Sequence, residues 1–252
     1  MKKTLYEIFP DADKRGDLAT FNVDAIPTSV GVIMDGNGRW AKRRALNRLK
    51  GHSAGIGAVR DVIRVCNDLD IKYLTIYSFS TENWKRSADE VAGLMDLFAK
   101  TLLKELPELH TENVKITTIG DISRLPNETY DSFIEAIDLT KNNTGLNLVV
   151  AVNYGARDEI LHAVKGIITD GISAEALDEQ MFSKYLYTGN SPDPELIIRT
   201  SGECRLSNFL LWQAAYSEIV VSDVLWPDFD RYDFLNCLRE YESRDRRFGD
   251  AK

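Results

Sequence analysis

The sequence of 252 residues is poor in the groups that stabilise small secreted domains and metal folds. Its three cysteines, Cys66, Cys204 and Cys237, are odd in number and far apart, which excludes a disulfide framework and reads as reduced thiols. Its three histidines, His52, His110 and His162, have no zinc-type spacing. No apolar run is long enough to span a bilayer. Residues 1–17 mix charge with Tyr6, Ile8 and Phe9 rather than forming a signal-peptide core. A cytoplasmic location is expected, with transient peripheral membrane contact left open. Positive charge is in deficit, 31 Lys and Arg against 39 Asp and Glu, and the net charge of −8 argues against a nucleic-acid-binding surface. Neither the Gly-Lys-Ser/Thr ending of a Walker A loop nor a GxGxxG fingerprint occurs, so nucleotide kinases and dehydrogenases lose ground.

What is present is ordinary globular material, 44% hydrophobic and 28% charged. Short β-branched runs alternate with helical periodicity. "SVGVIM", "IKYLTIYSFS", "VKITTIG", "GLNLVVAVNYG", "PELIIRTSG" and "SEIVVSDVLWPD" read as strands. Helices are expected at "GIGAVRDVIRVCNDLD", over Ser87–His110 behind a Ser87/Glu90 capping box, at "PNETYDSFIEAIDLTKNN", around 158–168 and 177–187, and over 232–246. The expectation is an α/β fold: a single domain with a mainly parallel central sheet of about six strands flanked by helices. Residues 1–26 read as an extension, loosely ordered or lying on the surface, and residues 27–252 as the main domain.

The polar oddities stand where strands end, which is where ligands bind in such folds. Asp35-Gly36-Asn37-Gly38-Arg39 follows the first strand and Phe79 to Trp84 the second; Asn153-Tyr154-Gly155 and Arg199 to Gly202 follow two others. Glycines 36 and 38 let backbone N–H groups approach an anion, and Arg39 adds a planar donor fork. Asp35 beside a phosphate cradle makes sense with a bridging Mg²⁺. On spacing alone, a glycine-rich turn with a solvated acid stands equally well. Of the basic run from Lys42 to Lys50 and His52, only Arg48 and His52 are expected to face the site; Arg86, Arg199 and Arg205 stand near other strand ends. Ser207 reads either as a ligand hydroxyl or as the cap of a helix in "SNFLLWQAAY". The apolar surface from Val91 to Leu106 is wider than one core-facing stripe needs, and fits either plain core or the wall of an apolar substrate tunnel.

Taken in order, "MDGNGRWA", "GH", "FSTENW", "NYG", "IIRTSGE", "SNFLLWQ" and "VLWPDF" resemble the motifs of the cis-prenyltransferases, over about residues 27–249. Like that family, the chain has no DDxxD. The resemblance implies an Mg²⁺-dependent enzyme that adds isopentenyl diphosphate units to farnesyl diphosphate, works as a homodimer and makes a medium-length product. It implies a metal-binding catalytic role for Asp35 and a diphosphate loop of Gly36, Asn37, Gly38 and Arg39, with Trp40, Arg48 and His52 beside it. It implies substrate contacts at Ser80, Thr81, Glu82, Trp84 and Arg86, and proton transfer or orientation at Asn83. The isopentenyl diphosphate site falls on Arg199, Arg205, Leu206 and Ser207, a second metal-contacting acid on Glu218, and a cross-subunit motif on Arg247 to Gly249. The chain departs from the family at Ser29 and Cys204, where histidines are usual, and both changes bear on metal handling or pH dependence. Two rivals remain: a non-catalytic subunit, against which the presence of Asp35, Asn83, Arg199 and Arg205 weighs, and a phosphoryl-transfer enzyme, which lacks its nucleotide motif.

Overall fold

In the computed structural model, which describes residues 3–189 and 191–246, the apolar runs become β1 (Ser29–Ile33), β2 (Tyr73–Ser80), β3 (Lys115–Ile119), β4 (Asn147–Tyr154), β5 (Leu196–Thr200) and β6 (Glu218–Ser222). The helices are α1 (Leu5–Ile8), α2 (Ala12–Arg15), α3 (Asn37–Arg43), α4 (Arg48–Ala54), α5 (Ile56–Asp68), α6 (Ala88–Thr111), α7 (Asn127–Thr140), α8 (Ala156–Thr169), α9 (Glu179–Tyr185) and α10 (Arg231–Glu242). Arg247 and Gly249 lie outside the described residues. No helix of the described residues is long and apolar enough to cross a membrane.

The strands form one sheet in the order β3-β4-β2-β1-β5-β6, and each neighbouring pair is parallel. β1 and β5 are buried along their whole length, which is why they read as continuous Val/Ile runs rather than as alternation. From β1 the chain steps to β2, crosses to the edge as β3, comes back to fill the gap as β4, then returns to the other side of β1 for β5 and β6. The order therefore switches between β1 and β5, and a crevice opens at their carboxyl ends. Asp35 and Arg199–Ser201 stand there.

α6 starts at the expected place, with the Ser87 hydroxyl accepting from Glu90 N at 3.4 Å while the Glu90 carboxylate takes Arg86 rather than completing the capping box, and runs on through Pro107. α5 buries Ala58, Val62, Ile63, Val65 and Cys66 against the sheet. Two expectations need correction. The N-terminal segment is not loose: Ile8, Phe9, Leu18 and Phe21 are buried in the main core. "SNFLLWQAAY" is not a helix capped by Ser207: Ser207, Asn208 and Leu210 all have positive φ, and only a short 3-10 turn follows at Gln213–Tyr216.

Candidate active site

β1 delivers Asp35 to the crevice, and its main chain is pinned there. The Asp35 carbonyl accepts from Trp226 N at 3.0 Å and from Thr200 Oγ1 at 2.6 Å. Gly36 then turns at φ 109°, and a Cβ on it would stand 3.0 Å from the Leu225 backbone, so only glycine fits. α3 begins at Asn37 with no side chain capping it, leaving its first amides open to a ligand.

Around this loop the side chains form a cationic cradle. Arg199, 4% exposed at the end of β5, donates from Nη2 to Asp35 Oδ2 at 3.0 Å and from Nη1 to Ser207 Oγ at 2.7 Å. Arg39 Nη2 lies 3.2 Å from the same Asp35 oxygen, while its Nη1 donates to Ser201 O at 3.1 Å and Glu203 Oε1 at 3.2 Å. Glu203 also pairs with Arg205, so two carboxylates hold three guanidinium groups around one crevice. Two buried polar atoms here have no protein partner, Arg199 Nε and Asn37 Oδ1. Arg86 pairs with Glu90 at 2.8 Å, and Arg48 lies 3.6 Å from the same carboxylate.

The electrostatics follow from the packing. Burial pushes the Asp35 carboxyl up, but the Arg199 hydrogen bond, the charges of Arg39 and Arg199 and the Gly36 N–H outweigh it and hold the group below the usual carboxylate range. Burial, reinforced by Arg86, pushes His52 down to about 4, so its imidazole is neutral at pH 7.

The cradle is lined by Met34, Asp35, Gly36, Asn37, Gly38, Arg39, Arg48, His52 and Arg86. Next to it, between α5, α6 and the sheet, lies a mostly apolar cavity of about 240 Å³. Met34, Asn37, His52 and Arg86 line both spaces.

The structure thus joins Asp35 with the glycine loop, Arg39, Arg48, His52 and Arg86, and brings Arg199, Arg205 and Ser207 to the same crevice. The remaining expected residues sit differently. Asn83 lines the apolar cavity, but its Oδ1 accepts from Ser80 N at 3.1 Å and the Ser80 hydroxyl returns the contact, so the pair closes a turn after β2. Thr81 donates to Asp158 Oδ2 at 3.0 Å and Trp84 to Asn153 Oδ1 at 2.7 Å; both line a separate cleft under β3 and β4. Glu82 accepts from Asn208 at 2.9 Å. Trp40 donates to Asp228 at 2.6 Å and stacks under Arg44, away from the cradle. Leu206 packs into the smaller core cluster. Glu203 and Glu90 were missed as site residues; the Arg86/Glu90 spacing of four at a helix start was the available signal for one of them.

Glu218 does not meet Asp35 within one chain. It pairs with Leu196 in register, three residues before Arg199, which puts it roughly 10 Å back along the sheet. Its carboxylate is held by Arg244 at 2.6 Å. Among the described residues no group of three or more His, Cys, Asp or Glu is placed to hold a metal ion. A single carboxylate under a phosphate cradle still fits Mg²⁺, which binds through one or two carboxylates and takes its other oxygens from water and substrate phosphate. The donor set suits an ion that arrives with a diphosphate, not one caged by protein alone.

The family model described as "Putative undecaprenyl diphosphate synthase" matches residues 33–249. An isoprenyl transferase of Clostridium tetani is 49% identical over 237 residues, covering 92% of this chain and 93% of its own. The ditrans,polycis-undecaprenyl-diphosphate synthase ((2E,6E)-farnesyl-diphosphate specific) of Micrococcus luteus is 50% identical over 242 residues, covering 94% and 97%. In structure, the chain is similar to the lavandulyl diphosphate synthase of Lavandula x intermedia solved with dimethylallyl diphosphate, with a TM-score of 0.86, 36% identity and coverage of 90% and 100%. With an anion cradle set at the switch point of a parallel sheet and motifs shared along most of its length, this chain belongs to the cis-prenyltransferase family, enzymes of cis-prenyl chain elongation.

Proposed function

We propose that the protein condenses isopentenyl diphosphate units onto farnesyl diphosphate to give a polyprenyl diphosphate of undecaprenyl length, the precursor of a lipid carrier for cell-wall synthesis. One observation carries this reading: the cationic cradle and the apolar cavity share Met34, Asn37, His52 and Arg86 as a common wall. A charged head and a hydrocarbon tail on one molecule need that junction. The name of the Micrococcus luteus relative supports the choice of starter and product.

In the reaction the C–O bond of the allylic diphosphate breaks, a C–C bond forms to the isopentenyl double bond, and a proton leaves, which the released diphosphate accepts. Arg39, Arg48 and the amides at Gly36 to Gly38 face the charge that gathers on the departing oxygens. When bound, Mg²⁺ supplies further neutralisation of that diphosphate. Arg199, Arg205 and Ser207 hold the second diphosphate with its double bond toward the reacting carbon. Asn83, a neutral amide with its carbonyl engaged by Ser80 N, keeps the turn after β2 in shape rather than abstracting the proton. The cavity, extended into a tunnel as the chain grows, keeps the product dry.

A homodimer is part of the proposal: α8 leaves Leu161, Val164 and Ile168 exposed, a face that a second copy can cover. Transient contact with a membrane at product release completes it.

The test is incubation with farnesyl diphosphate, labelled isopentenyl diphosphate and Mg²⁺, with chromatography of the chains formed. A ladder in five-carbon steps ending near undecaprenyl length is expected. Asp35→Asn should lower kcat by at least about 100-fold while still unfolding cooperatively. Near-normal turnover in that variant would reject the role given to Asp35.

A further inference from the structure

The apolar cavity is too small for the chain it is proposed to hold. At about 240 Å³, set against the roughly 150 Å³ that one benzene ring fills, it takes roughly ten carbons, or two isoprene units. A longer chain overfills that space and presses on its walls. On one side are Ile76, Leu148 and Val150, carried by β2 and β4, each of which is hydrogen-bonded to a strand on both flanks. Moving that wall means breaking ladders. On the other side stand α5, with Val59 and Ile63, and α6, with Phe98 and Leu102.

Beyond the shared apolar core, charged side chains bridge α5 and α6 over this space. Arg60 donates from Nε to Glu105 Oε2 at 2.8 Å and from Nη2 to Glu105 Oε1 at 2.7 Å, a two-pronged pair. Further along, Arg64 pairs with Glu108, and Asn67 Nδ2 donates to Glu112 O at 3.2 Å. Arg60 and Glu105 are the members of this seam whose side chains line the cavity. Along α6, Glu105 stands two turns beyond Leu97, roughly 12 Å deeper.

We propose that the Arg60–Glu105 pair is a latch in the side wall of the chain-binding cavity, which parts when the growing hydrocarbon outgrows the preformed space and so helps to set product length. The inference rests on reading the cavity as the bed of the prenyl chain. A polyprenyl tail offers no hydrogen bonds, so it gains nothing from the charged heads and must push them aside. Side-chain exposures of 36% for Arg60 and 16% for Glu105 give both heads a short path to water. A pair this wet contributes at most about fivefold to the closed population. It slows passage without blocking it.

The experiment uses the full chain and a series of n-alkyl phosphates from hexyl to octadecyl, with affinities read by calorimetry. In the native enzyme, affinity should rise about fourfold per methylene to near decyl and then flatten. In Arg60→Gln and Glu105→Gln the rise should continue to longer chains, and exchanging the charges (Arg60→Glu with Glu105→Arg) should bring the break back. In the elongation assay the single variants should shift products toward longer chains. A break at the same length in all four proteins overturns the latch alone, as does a shift that the exchange fails to reverse. Binding of no alkyl phosphate at any length overturns the latch together with the reading of the cavity.

Discussion

His52 shows how the site treats a single group. It sits where the cradle meets the cavity, with Arg86 and Arg48 as positive neighbours and Glu90 as the opposing charge. Burial and those cations favour the neutral ring, so between pH 6.5 and about 4 the unfolded chain binds a proton that the folded chain refuses. Stability must therefore rise with pH through that window and fall on acidification. Denaturant unfolding at pH 7.0 and 5.0 should show His52→Asn losing less stability than the native protein over this interval. Equal losses would mean that the imidazole titrates normally. A diphosphate in the cradle should reverse the bias, so that binding at pH 5.5 takes up protons, measurable as a buffer-dependent heat. Asp35 has the opposite balance, since the guanidinium groups outweigh its burial and keep it ionised. Asp35 was legible as a site candidate from its position after a strand, and His52 from the basic run it closes. Their ionisation was not, because it depends on arginines that arrive from β5 and from the start of α6, far away in sequence.

At the scale of elements, the strands and long helices were readable because their periodicity is set by which faces they bury. α5 and α6 fall within a residue or two of expectation, and the interior Pro107 did not end α6. α4 was not found, since "RLKGHSA" has no apolar stripe; the only local signal was Asn47, whose side chain caps it by accepting from Lys50 N at 3.0 Å. The segment after β5 was misread for a clearer reason. Helical periodicity in "SNFLLWQAAY" is real, but the segment is committed to holding Arg199 and is bent by positive φ at Ser207, Asn208 and Leu210. Asn208 fixes that bend: its Oδ1 accepts from Arg157 N at 2.9 Å and its Nδ2 donates to Glu82 Oε1 at 2.9 Å, tying the loop to α8 and to the end of β2. Asn208→Ala removes both contacts and places a less tolerant residue at φ 65°. It should cost about 1–3 kcal/mol of stability and raise KM for isopentenyl diphosphate more than it lowers kcat, because Ser207 is freed while Asp35 and the glycine loop stay in place. Steady-state kinetics beside a thermal melt check this. An unchanged KM would detach Ser207 from that substrate.

Across the whole molecule, an acidic chain concentrates its useful positive charge in one crevice and closes its core with the ends of the chain. The first residues read as an extension, loose or on the surface, because their apolar groups come in isolated pairs with no period, and a single sequence gives no sign of what such pairs meet. They meet α10 and α5. Phe9 is fully buried beside Tyr232, with ring centroids 6.1 Å apart, Arg231 reaches both Ile8 O at 3.2 Å and Asp61 at 2.8 Å, and Asn22 N is held by Glu242 at 2.9 Å. The segment therefore acts as a strap over α10 and α5, closing the main core. Deleting the large side chain in Phe9→Ala should cost about 3–5 kcal/mol, which at this chain length lowers Tm by roughly 10 °C. The ring partner of Phe9 is Tyr232 on α10 and not a cradle residue, so kcat and KM measured well below the transition should match the native values. A melt within about 2 °C of native would show that the segment only lies on the surface, as its composition suggests. A full drop in Tm with kinetics intact would place the whole effect in the core, and would separate what keeps this enzyme folded from what makes it react.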